Sequence, residues 1–167
     1  PEFVDERGDL FDDETHKDVF VCVFKHGDEF VGMWSWERIP DTRSMYGRLI
    51  VIAPEHRSAK LASQVMPLAV TAGRAMGAEF LFGFATLKIP HMQHALEKAG
   101  FQIIGFTSGY DCEEVAPGDV RRVFEGVYCK VLVPDDELMR PDPANLTLRA
   151  RALFDVLFPR ASGAAQP

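Results

Sequence analysis

The sequence predicts a mixed α/β (α+β) fold, a single sheet with helices over its faces. Three observations predict it. Short runs rich in β-branched and aromatic residues, such as "VFVCVFK", "EFVGMWSW" and "EFLFGFAT", are bounded by turn residues, as strands are. Other stretches repeat their apolar residues at steps of three and four, the helical period. The two kinds follow one another as β-β-β-α-β-α-β-β-α, an order that one sheet with packed helices accommodates.

Residues 1–17 are acidic and aperiodic and are expected to form a lead-in. The chain opens "PEF" without Met, which reads as a cloning remnant, so the protein is expected to extend upstream. "VFVCVFK" and "EFVGMWSW" flank "HGD", the spacing of a hairpin, with Gly27 supplying a positive φ. "IPDTRS" is a loop, and "MYGRLIVIA" is a third strand, apolar on both faces towards its end as a central strand is. After Arg57, the spacing of Leu61, Val65, Leu68, Ala72 and Ala75 predicts an amphipathic helix, kinked at Pro67 and ended by Gly77. "EFLFGFAT" is short and wholly apolar, which suits a buried parallel strand. "PHMQHALEKAG" is a short helix with Pro90 at its start and Gly100 just past its end. "FQIIGF" and "VFEGVYCKVLV" are two more strands around an acidic, Gly-containing connection. The last helix takes Asn145 as its cap and carries a stripe of Leu146, Ala150, Leu153 and Leu157. Residues 18–158 are expected to form one domain, with 159–167 a disordered tail.

The 167 residues suffice for one domain with a proper core, and the 47% apolar content is ordinary for a globular protein. A net charge of −7 and the scarcity of clustered Lys or Arg argue against a nucleic-acid partner. "VRR" at 120–122 and "RARA" at 149–152 read as solvated faces. Three cysteines, Cys22, Cys112 and Cys129, lack metal spacing, and two lie in strand-like runs, so a reducing, cytoplasmic setting is expected. No apolar run approaches the roughly 18 residues of a membrane span, and no membrane partner is expected.

"VIAPEHRSAKLA", Val51–Ala62, is the stretch richest in chemical meaning. A strand that feeds a helix leaves the first helical amides unpaired, and the helix dipole adds partial positive charge, which together suit a phosphate. The amides of Ser58 to Ala62 are the candidates, with Arg57 and Lys60 for charge and the Ser58 hydroxyl as a further donor. Most strand-to-helix turns are empty, and spacing alone favours that reading here.

In its order and residues this stretch resembles the GNAT superfamily of acyl-CoA N-acyltransferases. The family motif V-x-P-x-x-R-G-x-G-x-G/A is met by Ile52, Pro54, Arg57 and Ala62, while Ser58 and Lys60 stand where glycines are preferred. "HALEKAGF", with Gly100 and Phe101, resembles the end of the second motif, and the likeness spans roughly Val19 to Val133. The resemblance implies a mixed, mostly antiparallel sheet with a central parallel strand pair, flanked by helices. It also implies an acyl-CoA donor, acetyl-CoA or another, with pyrophosphate on Arg57, Ser58, Ala59, Lys60, Leu61 and Ala62. Pantetheine would lie along Ile50, Val51, Ile52 and Ala53 like an added strand.

The likeness has gaps. "SMYGRL" has no carboxylate where many members carry a basic Glu, and Leu96 holds the place of the Tyr that protonates the leaving thiolate. Substitutes stand nearby: His91 and His94 on the short helix, with Glu97 three residues on, and Tyr46, Glu37 and Asp41 near strand ends. Each His is a proton carrier or a plain surface residue, and no third ligand makes the two a zinc pair; no metal is expected. "GRLIV" and "IPHMQHALEKAGFQIIG" also resemble the branch that makes acyl-homoserine lactones and N-acyl amino acids. The expected activity is therefore transfer of an acyl group, most simply acetyl, from CoA to a small-molecule primary amine. An acyl-carrier-protein-dependent transferase, or a module that binds acyl-CoA or a protein without catalysis, is the alternative. A homodimer is left open.

Overall fold

The structure is a computed structural model that describes residues 19–59 and 61–159. The expected lead-in 1–17 and residues 160–167 of the expected tail lie outside the described residues, as do Lys60 and the side chains of 58–63. The chain forms two compact units divided between Leu132 and Val133.

The first unit is built on six strands: β1 (Val19–His26), β2 (Glu29–Ile39), β3 (Ser44–Ile52), β4 (Phe80–Thr86), β5 (Gln102–Ala116) and β6 (Asp119–Val131). They lie in the order β1-β2-β3-β4-β6-β5. Every neighbouring pair is antiparallel except β3 and β4. Helix α1 (Leu61–Ala75) makes the crossover between the parallel strands, and α2 (His91–Lys98) connects β4 to β5. The element order and the central parallel pair are those the sequence predicts.

The turns follow from local chemistry. His26 faces Glu29 across the first hairpin, and Gly27 holds φ at 63°. Both helices of this unit end the same way. Gly77 donates to Arg74 O and Ala78 to Gly73 O, while Gly100 donates to Glu97 O and Phe101 to Leu96 O. This is the paired closure that a left-handed residue just past a helix permits, and Gly100 holds φ at 79°. Phe101 is thereby tucked beside Leu96, both buried in the core.

The core lies where β2, β3, β4 and β6 meet α1 and α2. Leu81, Met45 and Tyr128 are its largest fully buried side chains; each apolar side chain so buried contributes about 1.5–3 kcal/mol. The Tyr128 hydroxyl satisfies itself by donating to Glu97 Oε1 of α2 at 3.2 Å. On α1 the buried face runs through Val65, Met66, Ala69 and Ala72, and Met76 just past its end continues it. Ala75, expected on that face, is exposed. Adjacent residues 65 and 66 are both inward, which a stripe chosen at single three- and four-residue steps overlooks. Pro67 sits on the exposed side, where its missing amide is cheapest.

The expected acidic connection between the last two strands is itself strand. β5 and β6 pair from Gln102↔Cys129 out to Ala116↔Asp119. The outer half is exposed on both faces, so no apolar alternation announces it, and its register slips three times.

In the second unit, α3 (Leu148–Leu157) is capped by Thr147, whose Oγ1 accepts from Ala150 N at 3.2 Å. The expected cap, Asn145, ends a short 3-10 turn instead, because Asp142 caps that turn and Leu146 is extended. No residue of α3 is buried, and Arg140 lies over the Phe154 ring, 5.8 Å from its centroid.

β2 and β3 approach closely at Gly32, where an added Cβ would meet Val51 O at 2.5 Å. Gly32→Ala is expected to lower stability by about 2 kcal/mol, read as a lower urea midpoint at unchanged slope. A wild-type midpoint would contradict this packing.

Candidate functional site

The pairing of β3 with β4 covers only Ser44↔Phe80 to Gly47↔Gly83. Immediately beyond it, β3 bulges: Leu49 faces Ser35 and Gly47 faces Trp36, leaving Arg48 as the extra residue. A bulge bends and twists its strand, and from there β3 keeps only β2 as a partner while β4 keeps only β6. The carboxyl ends of a parallel pair are where open α/β sheets bind ligands.

The gap is an apolar cleft enclosing about 470 Å³ of empty volume, its open mouth included. Met66, Met92, Leu96 and Phe101 line it from the core side, Trp34 and Trp36 from β2, and Phe82 and Phe84 from β4. Its β3 wall offers backbone. Ala53 donates to Val31 O at 2.9 Å, and successive peptide groups alternate sides, so Val51 and Leu49 also address β2. Ile50 and Ile52 therefore turn their peptide groups to the gap. Arg57 confirms the alternation, since its Nε donates to Ile52 O at 3.0 Å. The indole N–H of Trp36 is buried in the lining without a partner.

The turn after β3 differs in detail from the expected one. Pro54–Ala59 is a 3-10 segment and α1 begins only at Leu61, so Ser58 and Ala59 precede the α-helix rather than opening it. Ala62 falls in the first turn of α1. Of the expected donor-binding residues Ile50 lines the cleft, Val51 and Ile52 end β3, and Arg57 reaches back to the Ile52 carbonyl.

The expected proton carriers fall into two groups. Glu37 and Tyr46 are cross-strand partners beside the bulge, and Glu37 Oε2 accepts from Arg48 at 2.6 Å. Asp41 lies in the turn before β3, at the paired end of β3 and β4. His91 and His94 are exposed on α2, whose cleft-lining residues are Met92 and Leu96. His94 Nδ1 lies 3.8 Å from Glu97 Oε2. Among the described residues, Glu29, Glu55 and His56 bring three possible metal-ligand atoms within 4.8 Å of one another, two of them on exposed carboxylates.

A cluster absent from the sequence reading lies on the sheet face opposite the core. Tyr46 stacks on Phe82 at 5.2 Å and meets Phe84 edge-on at 5.6 Å. Tyr110 of β5 packs on Phe84 at 4.7 Å. It stands in the slipped register between Ser108 and Asp111. Burial, then hydrogen bonding to Tyr110, pushes the Tyr46 hydroxyl well above the ordinary tyrosine range, so it stays protonated. Glu125 of β6 faces Thr86 on one side and Thr107 on the other. It is only 9% exposed, and its Oε2 and the Thr107 hydroxyl are both buried without partners. The strand alternation of "FEGVYC" holds the signal for Glu125, a carboxylate in register with Val127 and Cys129; Tyr110 was hidden in the stretch read as a connection.

Burial, then the charges of Asp111 and Glu113, push the Glu125 carboxyl above its ordinary value of 4.5. A carboxylate raised by folding leaves stability intact below its unfolded value and lowers it as pH rises through the folded one. Glu125→Gln is therefore expected to raise Tm at about pH 7, with the gain vanishing below the ordinary value of 4.5. An unchanged or lower Tm at neutral pH would contradict the burial of an unpaired carboxylate.

Residues 1–101 match the family model of the Acetyltransferase (GNAT) family. No curated protein matches the chain. Several solved structures share its fold. An IAA acetyltransferase from Bacillus cereus is 16% identical, with 69% of this chain and 79% of that one covered at a TM-score of 0.59. A Bacillus subtilis acetyltransferase in complex with CoA is 17% identical over 72% of this chain and 82% of that one, TM-score 0.59. Spermidine N-acetyltransferase from Vibrio cholerae, in complex with CoA and spermine, is 18% identical over 72% of this chain and 70% of that one, TM-score 0.59. No helix among the described residues is long and apolar enough to cross a membrane. With a family match over most of its length and the split parallel pair at its centre, this chain belongs to the Acetyltransferase (GNAT) family.

Proposed function

We propose that the protein transfers an acyl group, most simply acetyl, from acyl-CoA to a small-molecule primary amine by direct attack. One observation carries the reading: the peptide groups of Ile50 and the amide of Ile52 turn away from β2 where β3 leaves β4, and Ile50 lines the apolar cleft that opens there. A pantetheine arm has amides at the spacing of a peptide and would pair with that edge as an added strand. Arg57 and Lys60 supply charge for the pyrophosphate, together with the amides of Ser58, Ala59, Leu61 and Ala62. The CoA complexes of the Bacillus subtilis and Vibrio cholerae proteins, which share this fold, support a CoA donor.

In the reaction the amine nitrogen forms a bond to the thioester carbonyl carbon. The oxyanion is held by a β3 amide, and the C–S bond then breaks to release the thiolate. The amine gives up one proton and the thiolate takes one. Trp36 Nε1 is a further donor for a carbonyl in the cleft. Tyr46, held neutral, donates a hydrogen bond rather than carrying a proton, and with Glu37 it positions the acceptor at the bulge. Positioning of this kind supplies gains that match or exceed those of a placed acid or base.

The test is release of free CoA thiol from acetyl-CoA with a panel of primary amines, alongside calorimetric titration with the same thioester. Binding with amine-dependent thiol release is expected. Binding without release from any amine would leave a binding module, and release only from an acyl carrier protein would move the donor there. Arg57→Glu should weaken CoA binding at least about tenfold, more than one charged contact; unchanged affinity would remove the phosphate assignment. Tyr46→Phe should lower kcat/KM about tenfold, while His91→Ala and His94→Ala change it by less than about threefold. A tenfold loss in either His variant would return proton transfer to α2.

A further inference from the structure

The β1–β2 hairpin and the turn after β3 bring two imidazoles and two carboxylates to one end of the sheet. His26 ends β1, Glu29 opens β2, and the two face each other across the hairpin. Glu55 and His56 stand in the 3-10 turn Pro54–Ala59. Gly32 pairs with Ile52, and Ala53 N donates to Val31 O at 2.9 Å, so the turn leaves β3 beside the start of β2. His56 N donates to Ala53 O at 2.9 Å, which closes the turn and fixes the backbone that carries both side chains. As a result, one ligand atom each from Glu29, Glu55 and His56 lie within 4.8 Å of one another. The His26 ring meets the His56 ring edge-on, with centroids 6.0 Å apart.

Nothing within the fold offsets this convergence. Among the described residues, neither Glu29 nor Glu55 pairs with a cationic side chain, and two carboxylates so close repel each other. His56 is half-buried and the other three are exposed, so the cluster is open to an ion from solution.

The imidazoles choose the ion. Magnesium and calcium take oxygen ligands, whereas zinc takes imidazole and carboxylate together, four in a tetrahedron. With Zn–N bonds of about 2.0–2.1 Å, two imidazoles on one zinc have centroids about 5 Å apart, and adjacent ligand atoms are about 3.4 Å apart. The separations here exceed those by no more than about 1.5 Å, a closure within reach of exposed side chains that move between staggered rotamers.

We propose that His26, Glu29, Glu55 and His56 form a zinc site that ties the β1–β2 hairpin to the turn before α1. The ion takes one nitrogen from each imidazole and one oxygen from each carboxylate, which cancels the repulsion between the two glutamates. Arg57 directly follows His56, so the cross-link also steadies the segment that reaches back to the Ile52 carbonyl. None of the four residues lines the cleft, and the site stands whether or not the acyl-transfer reading does.

The experiment is calorimetric titration of zinc chloride into the whole chain, free of any affinity tag and stripped of metal with a chelator. One zinc per chain with a Kd of about 10 μM or tighter is expected, with a rise in Tm that magnesium chloride at the same concentration does not give. His56→Ala and Glu29→Gln should each weaken binding at least about tenfold, and His26→Ala at least about threefold. His94→Ala, on α2, should leave it unchanged. All four substitutions fall on side chains at least partly open to solvent, so the variants are expected to fold, which their Tm without metal checks. A Kd weaker than about 100 μM in the wild-type protein would overturn the site. So would zinc binding that survives His56→Ala, or magnesium binding as tight as zinc.

Discussion

The parting of β3 from β4 after Gly47 is the constraint on which the rest of the first unit depends. A central strand that loses a neighbour exposes peptide groups inside a sheet, and each unpaired buried group costs about 1–3 kcal/mol. The chain meets that cost in two ways. The bulge at Arg48 turns β3 aside so that the gap opens rather than collapses. Arg57 reaches back to cover the Ile52 carbonyl. The remaining groups at Ile50 and Ile52 are left without a second strand partner. Behind the split, Leu81, Met45 and Tyr128 of the core are almost wholly excluded from solvent.

The two faces of the sheet serve different ends. On the core face the Tyr128 hydroxyl is paired with Glu97, and the buried indole N–H of Trp36 borders the cleft. On the opposite face, Glu125 and Thr107 stand unpaired under an aromatic wall. The same division explains Tyr46, whose hydroxyl is kept protonated by burial in company with Tyr110.

Much of this was legible in the sequence because local and tertiary signals agreed. The β2 and β4 runs, the caps at Gly77 and Gly100 and the element order are each specified by several residues at once. The bulge was not legible: it arises from the register between Ser35 and Leu49, which no single strand encodes. Nor was the long β5–β6 hairpin, whose outer residues alternate nothing because both faces meet water. Asn145 and Thr147 are both good caps, and only the preceding turn at Asp142 decides between them. At the site, the turn that follows β3 was readable from Pro54 and Arg57. Glu125 was not, because a single carboxylate in an apolar strand acquires meaning only beside Thr107, Asp111 and Tyr110.

The account turns on whether the free edge of β3 receives a donor. Amide hydrogen exchange, followed residue by residue with and without CoA, tests this most directly. Slowed exchange at Ile50 and Ile52 and along residues 57–62, with Val51 and Ala53 unchanged because they already face β2, is the predicted result. Protection that appears elsewhere, or a β3 edge that exchanges at the same rate with CoA present, would contradict the cleft as the donor site.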